Sequence, residues 1–200
     1  MGTKELRGRD PWQDLSGAKA GIAEKSFYGV FLQEFKGTDF VIQPKPKEFK
    51  DIYVKVELSK AELAEIHVPK NEIIKHGIAP DYSISNLKTG KTLYVEVKRQ
   101  DGWVEGKTRA AGRGNAHERS NKFFTPGLLK LLRQQGKLGD NVLPFWTVFQ
   151  GDITRDPCRV REIKLWYGEH SAHYFMWRNS TEGTALVNHF NRYLKPLLMK

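Results

Sequence analysis

The chain has 200 residues, 39% of them hydrophobic and five of them tryptophan, which is enough apolar material for a core and excludes a disordered composition. Its 33 basic residues against 23 acidic ones give a net charge of +10, which favours a polyanionic partner, nucleic acid before an anionic membrane. One cysteine, Cys158, excludes an intrachain disulfide and a multi-cysteine zinc site, and with no signal-like N-terminus and no membrane-length apolar run it leads us to expect a cytoplasmic protein without a membrane part.

From about Asp14 to Lys36, Leu15, Ala18, Ile22, Ala23, Phe27, Val30, Phe31 and Phe35 recur at helical spacing, and Gly37 is a stop. Glu24 and Glu34 lie on this helix, where a solvated charge is the expected reading and assistance to a metal site the alternative. Phe40-Val41-Ile42 reads as a short strand closed by Pro44 to Lys47, and the alternation from Ile52 to Leu58 suggests another strand or an edge. Ser59-Lys60-Ala61-Glu62 is a capping-box pattern opening a short helix that Pro69 closes. Asp81 to Ser85 and Lys91 to Lys98 read as the strands of a hairpin. Thr125-Pro126 caps a helix carrying Leu128, Leu129, Leu131 and Leu132, which Gly136 and Gly139 break. Val142 to Phe149 is apolar enough for a buried strand. Thr154 to Tyr167 reads as a helix with Val160, Ile163, Leu165 and Trp166 inward, Tyr174 to Trp177 as a strand, and Thr181 to Leu198 as an amphipathic helix through Leu186, Val187, Phe190, Tyr193 and Leu194. Helices before and after a central set of strands imply an α/β fold, a mixed sheet flanked by helices, in a single domain over residues 1–200.

Chemistry concentrates on the hairpin. Glu96 and Lys98 are two apart on a strand and share one face with Tyr94, while Leu93, Val95 and Val97 take the other. A two- or four-residue loop centred between Lys88 and Thr89 sets Asp81 opposite Glu96 and pairs Tyr82 with Val95 and Ile84 with Leu93; a three-residue loop would slip this by one. Two facing carboxylates invite a hard divalent cation, Mg²⁺ with waters and phosphate oxygens, to which the Val97 carbonyl could add a ligand. Lys98 would then serve the attacking water. The plainer alternative is a surface hairpin with an ion-pair cluster.

Between Arg99 and Lys122 six basic residues stand against three acidic ones, with Gly102, Gly106, Gly112 and Gly114 allowing close backbone approach. Asn115-Ala116-His117-Glu118 has the pattern of a capped helix start, with Arg119 one turn on. Asn suits adenine, Arg suits guanine or adenine N7, and Ala fits a thymine methyl, so Asn115, Ala116, Arg119 and the preceding Arg113 are candidate base readers. His117 beside Glu118 has no third ligand at helical spacing, so a packing or hydrogen-bonding histidine is expected rather than a metal ligand.

Pro80-Asp81, fourteen residues, then Glu96-Val97-Lys98 resembles the Asp…Glu-x-Lys core of type II restriction endonucleases, and Gly114 to Ser120 resembles the recognition segment of their EcoRI/MunI group. Residues 98–107, 112–120, 124–130, 143–146 and 151–157 are similar to MunI-like sequences, and the resemblance covers most of residues 80–178. It implies a restriction-endonuclease-like core and a Mg²⁺-dependent homodimer that cuts palindromic double-stranded DNA. MunI-like members read CAATTG and cut after the first C, leaving 5′-AATT overhangs; a protective DNA methyltransferase is then expected in the host. By position, Asp81, Glu96 and Lys98 would be catalytic, with metal held by Asp81, Glu96 and Val97. Asn115, Ala116 and Arg119 would read the inner AATT, Arg113 the outer base pair, with Gly114 in the same DNA-binding segment. His117 stands where the EcoRI pattern has an aliphatic residue. The alternatives are a structure-specific repair or recombination nuclease on the same core and a DNA-binding module without catalysis.

Overall fold

A computed structural model describes residues 11–68, 70–71, 76–108, 115–179 and 183–200. Helix α1 (Pro11–Glu34) is followed by strand β1 (Phe40–Pro44), the short helix α2 (Lys60–Glu65), and strands β2 (Tyr82–Asn86) and β3 (Thr92–Arg99). A 3-10 helix (Ala116–Phe124) leads into α3 (Pro126–Gly136), β4 (Phe145–Gln150), α4 (Pro157–Tyr167) and β5 (Tyr174–Trp177). The chain closes with α5 (Thr184–His189), a π turn (Phe190–Leu194) and α6 (Lys195–Met199).

The five strands form one sheet in the order β1-β2-β3-β4-β5. The first three are antiparallel, and β3, β4 and β5 run parallel, so α3 and α4 serve as the crossovers that parallel neighbours require. The mixed α/β architecture expected from the sequence is therefore present.

Each face of the sheet carries its own core. On one, Ala23, Phe27 and Phe31 of α1, spaced four apart, meet Ile84, Leu93, Val95 and Trp146, and Leu186, Phe190, Leu194 and Leu198 cover the rest. The aromatic rings interlock: Phe31 sits 5.8 Å from Trp146 and 5.3 Å from Phe190, both edge-on. On the other, Tyr94, Phe145 and Phe149 pack against Phe123, Leu128, Leu132, Ile163 and Tyr167. This explains why β4 reads as an unbroken apolar run: all six of its residues are buried, because a central parallel strand is covered on both sides.

The hairpin takes the four-residue loop, with Asn86 N–H donating to the Lys91 carbonyl and Tyr82 opposite Val95, Ile84 opposite Leu93. The capping box at Ser59 is also present, Ser59 and Glu62 exchanging side-chain bonds to each other's backbone N–H.

Several expectations give way. Residues 52–55 form turns and 56–58 irregular chain rather than a strand. Phe49 is anchored in the second core with Ile52 and Tyr53 against it, and the backbone bonds of this stretch go to the 76–78 segment: Ile78 N–H to Phe49 O and Tyr53 N–H to His76 O. Val54, Val56 and Leu58 are left exposed. The fourth helix starts at Pro157 instead of Thr154, because Asp156 caps it by accepting from Cys158 and Arg159 N–H. Leu165, Tyr193 and Ile22, expected inward, are exposed. The segment after Asn115 is 3-10, not α, and the Asn115 side chain does not cap it; its amide donates to the Glu118 carboxylate instead. The expected helix end at Pro69 and the start at Thr181 lie outside the described residues.

Candidate active site

The hairpin ladder stops one residue short of Asp81, and side chains take over the next rung. Asp81 N–H donates to Glu96 Oε2 at 3.3 Å, and Val97 N–H donates to Asp81 Oδ2 at 2.8 Å. Both carboxylates are thus wedged where β2 and β3 part. A residue in a strand sends its N–H and C=O to the same side, so the Val97 carbonyl leaves toward Asp81 as well. Lys98 closes the group, with Nζ 2.5 Å from Glu96 Oε1 and 3.9 Å from Asp81 Oδ2. Asp81, Glu96 and Lys98 are therefore brought together as their spacing implied, with side chains only 16%, 5% and 17% exposed.

A protein floor lies beside this cluster. Glu96 neighbours Thr147 of β4 across the parallel ladder, and the buried Tyr167 hydroxyl donates to Thr147 Oγ1 at 2.6 Å. Burial raises the Glu96 carboxyl above its ordinary range; Lys98 pulls it back, Asp81 adds to the rise, and Lys122 of the 3-10 helix opposes it. The Tyr167 phenol is likewise raised by burial.

The structure corrects the expected reading of one residue and adds one feature. Glu24 is not a freely solvated helix charge: it is half-buried, and its carboxyl is raised by burial first and by the Asp81 charge second, with Lys98 opposing. Its place one residue after Ala23 of the apolar stripe and four before Tyr28, whose ring stacks on Tyr82 at 5.6 Å, was the available signal. The second is the exit of β3. Gly151 holds φ +84, and a Cβ there would meet Asp101 Oδ1 at 2.4 Å and Gln100 O at 2.7 Å. Only glycine lets the end of β4 close on the residues that follow Lys98. Ile153 N–H to Gln100 O and Gly102 N–H to Asp152 Oδ2, each 3.1 Å, complete that lock.

The donor set suits Mg²⁺. It offers two carboxylates and a main-chain carbonyl with no sulfur or imidazole, and among the described residues no group of three or more His, Cys, Asp or Glu gathers into an all-protein cage. Mg²⁺ keeps several waters and takes one or two carboxylates, which matches an open, hard-oxygen site of this kind.

The 3-10 helix packs beside the cluster. Its period of three buries His117, Ser120 and Phe123 as one stripe and turns Glu118 and Arg119 outward. Asn115 is exposed at its start, but in a 3-10 segment it shares a face with Glu118 rather than with Arg119. Arg113 and Gly114 lie outside the described residues, as does the side chain of Ala116. His117 is a buried, hydrogen-bonded histidine, as expected, with Nδ1 3.0 Å from Gln100 Oε1 and Nε2 3.2 Å from Glu162 Oε2. Burial first, and the Arg159 charge second, hold its imidazole below the ordinary value.

The likeness to known proteins runs the full length. A family profile described as "Type II restriction enzyme MunI" matches residues 1–199. The type II restriction enzyme MunI of Mycoplasma sp is 52% identical over 201 aligned residues, 99% of this chain and all of that protein. The crystal structure of MunI restriction endonuclease in complex with cognate DNA superposes with a TM-score of 0.80 at 52% identity, covering 96% of this chain and all of that one. With a five-stranded mixed sheet, the Asp81, Glu96 and Lys98 cluster where its second and third strands part and this agreement from end to end, the chain belongs to the MunI family of type II restriction enzymes, which are sequence-specific deoxyribonucleases.

Proposed function

We propose that this single-domain chain acts as a homodimer on palindromic duplex DNA, cutting CAATTG after the first C in a Mg²⁺-dependent reaction that leaves 5′-AATT ends. The observation that carries this is the junction of Asp81, Glu96, Val97 and Lys98 where β2 and β3 separate, in a chain 52% identical to MunI along its whole length. The fold leaves the two carboxylates on one face, largely shielded from water, beside a basic segment with a helix-like start.

Asp81, Glu96 and the Val97 carbonyl are the residues that would hold Mg²⁺, which when bound supplies Lewis acidity at a phosphate oxygen and a lowered pKa for a bound water. Lys98 has the reach to orient an attacking water beside the carboxylates, since its ammonium already bridges both. It also offsets charge on the scissile phosphate. The Tyr167–Thr147 pair fixes the sheet beside Glu96 and limits water from that side.

Base reading falls to Asn115, Ala116 and Arg119 for the inner AATT and to Arg113 for the outer pair, with Gly114 allowing the backbone to approach. Arg119 faces outward on the 3-10 helix, on the side that a groove would meet. Two symmetric strand cuts need two sites, and a palindrome mirrors a two-fold axis, which supports the homodimer. Among the described residues no helix is long and apolar enough to cross a membrane. A cytoplasmic enzyme paired with a host methyltransferase is the setting this activity requires.

Incubation of a plasmid bearing one CAATTG site with protein and Mg²⁺, followed by sequencing of the ends, tests the proposal. Linear product ending in 5′-AATT is expected, with Glu96→Ala inactive and EDTA blocking the wild type. Absence of discrete product, or equal cutting by Glu96→Ala, refutes it.

A further inference from the structure

The base-reading segment and the catalytic strand are joined by a buried polar bridge. His117 is fully buried at the second residue of the 3-10 helix. One ring nitrogen meets Gln100, two residues past Lys98 on the same strand face; the other meets Glu162 of α4. Both anchors are themselves fixed. Gln100 is held by its backbone between the Gln150 carbonyl and Ile153 N–H, at 3.1 Å each. Glu162 is held by Arg159 through bonds of 2.9 and 2.7 Å. The His117 ring also lies flat on Trp166, with centroids 5.4 Å apart and planes 14° off parallel. Ser120 Oγ then donates to the His117 carbonyl at 2.7 Å, one 3-10 turn along.

A buried histidine is a costly way to fill this space. An aliphatic side chain would pack the same gap without desolvating an imidazole and a glutamate, so stability alone does not account for it. What the imidazole adds is direction. Its two nitrogens point to opposite sides of a rigid ring, and each bond fixes one neighbour, so the 3-10 helix has one position against β3 and one against α4. Arg119 and Asn115 lie two residues to either side of His117. Glu96 and Lys98 lie four and two residues before Gln100. The His117–Gln100 bond of 3.0 Å itself ties the 3-10 helix to the end of that strand.

We infer that His117 is a positioning residue that sets the base-reading segment in register with the catalytic strand, so that correct base contacts align Lys98 and the carboxylates with the scissile phosphate. This rests on the reading of the site under Proposed function. Its signature is a loss of discrimination rather than a general loss of rate. With the bridge gone, cognate contacts no longer secure the catalytic geometry, and a misplacement near 1 Å costs about 100-fold in rate. A site with one base pair changed never gained that alignment, so its slow rate has little to lose.

The test is single-turnover cleavage of a CAATTG duplex and of a duplex with one base pair changed, at saturating protein and Mg²⁺, with binding measured separately in Ca²⁺. For His117→Leu the cognate rate is expected to fall about 10- to 100-fold while the changed site stays within about 3-fold, so the ratio collapses. Glu162→Gln, at a partly exposed position, is expected to lower the ratio in the same direction. Adding it to His117→Leu should cost no more than His117→Leu alone, because both remove one bridge. His117→Gln, which keeps a donor and an acceptor, should recover part of the ratio. A ratio that stays at the wild-type value, with both rates falling together or neither falling, overturns the inference, as do independent, multiplying effects of the two substitutions. If His117→Leu fails to fold, Glu162→Gln and Gln100→Met decide the matter by the same ratio. Failure of the wild type to cut CAATTG sinks the proposed function; a wild type that cuts while the variants keep full discrimination sinks only this inference.

Discussion

Lys98 should hold the Asp81–Glu96 cluster together, and the structure sets the size of the effect. Its ammonium lies 2.5 Å from one carboxylate and 3.9 Å from the other, with raw attractions of roughly 7 and 4 kcal/mol at an effective dielectric of about 20. Desolvation of three largely buried charges offsets most of that. Removing only the cation leaves two facing carboxylates without a countercharge, a change that costs about 3–5 kcal/mol in buried pairs, and about 3 here because the site keeps some solvent contact. Lys98→Met, which preserves the aliphatic stem, is therefore expected to lower Tm in EDTA by about 6–12 °C for a domain of this size. Mg²⁺ should then recover more in the variant than in the wild type, since it supplies the missing charge; at tenfold over Kd it returns about 1.4 kcal/mol. The pH dependence has a definite sign. Glu96 is raised in the folded state, so folding binds a proton more readily than the unfolded chain does, and stability falls as pH rises from the ordinary glutamate range through the raised folded value. Without Lys98 that rise is larger, and the penalty extends to higher pH. Calorimetric scans of both proteins from pH 5 to 8, with EDTA and with Mg²⁺, measure all of this. Equal Tm in EDTA, or equal gains from Mg²⁺, refutes the account of the cluster.

Gly151→Ala forces a side chain to φ +84 and into Asp101 and the Gln100 carbonyl, so a loss of about 2–3 kcal/mol is expected, seen as a lower denaturation midpoint, and a wild-type midpoint would refute it. Ser59→Ala removes a capping box worth about 1 kcal/mol from a helix that buries nothing, so amide exchange in Lys60–Glu65 should accelerate while global Tm stays put; a Tm fall of several degrees would mean this helix is packed. Arg119→Ala should weaken discrimination at one inner base pair by about 1–3 kcal/mol, read from cleavage rates on single-substitution duplexes, with wild-type selectivity as the refuting result.

The hairpin was legible because strand parity is unforgiving. A one-residue slip would have put Glu96 and Lys98 among α1's phenylalanines and Val95 and Val97 in the site, so the requirement that apolar residues pair across the turn selected the register. The α1 stripe was legible for a similar reason, since Ala23, Phe27 and Phe31 repeat every four residues. Alternation failed at 52–58 because periodicity reports a pattern but not a partner: Phe49 and Tyr53 are tethered to 76–78 instead of pairing in the sheet. The capping pattern at Asn115 failed because 3-10 and α starts share their residues. What separates them is the buried triplet His117, Ser120 and Phe123, spaced three apart, and that spacing was visible in the chain.

That triplet also explains why the segment after Asn115 takes the tighter helix. An α-helix would rotate its buried stripe by about 60° over three residues, since each residue advances about 100° rather than 120°. His117, Ser120 and Phe123 could not then all face β3, β4 and α4. Phe123 meets Phe145 at 5.3 Å and His117 meets Gln100 and Glu162, so both ends of the stripe are committed to the sheet side. The core therefore dictates the helix type, and the helix type dictates that Arg119 projects outward one step from the stripe. The proposed base reading is in this way built on packing against the same sheet that carries Glu96 and Lys98. A substitution that relaxed the stripe toward α geometry would turn Arg119 without touching a catalytic residue. Specificity would then change while the carboxylates and Lys98 kept their places.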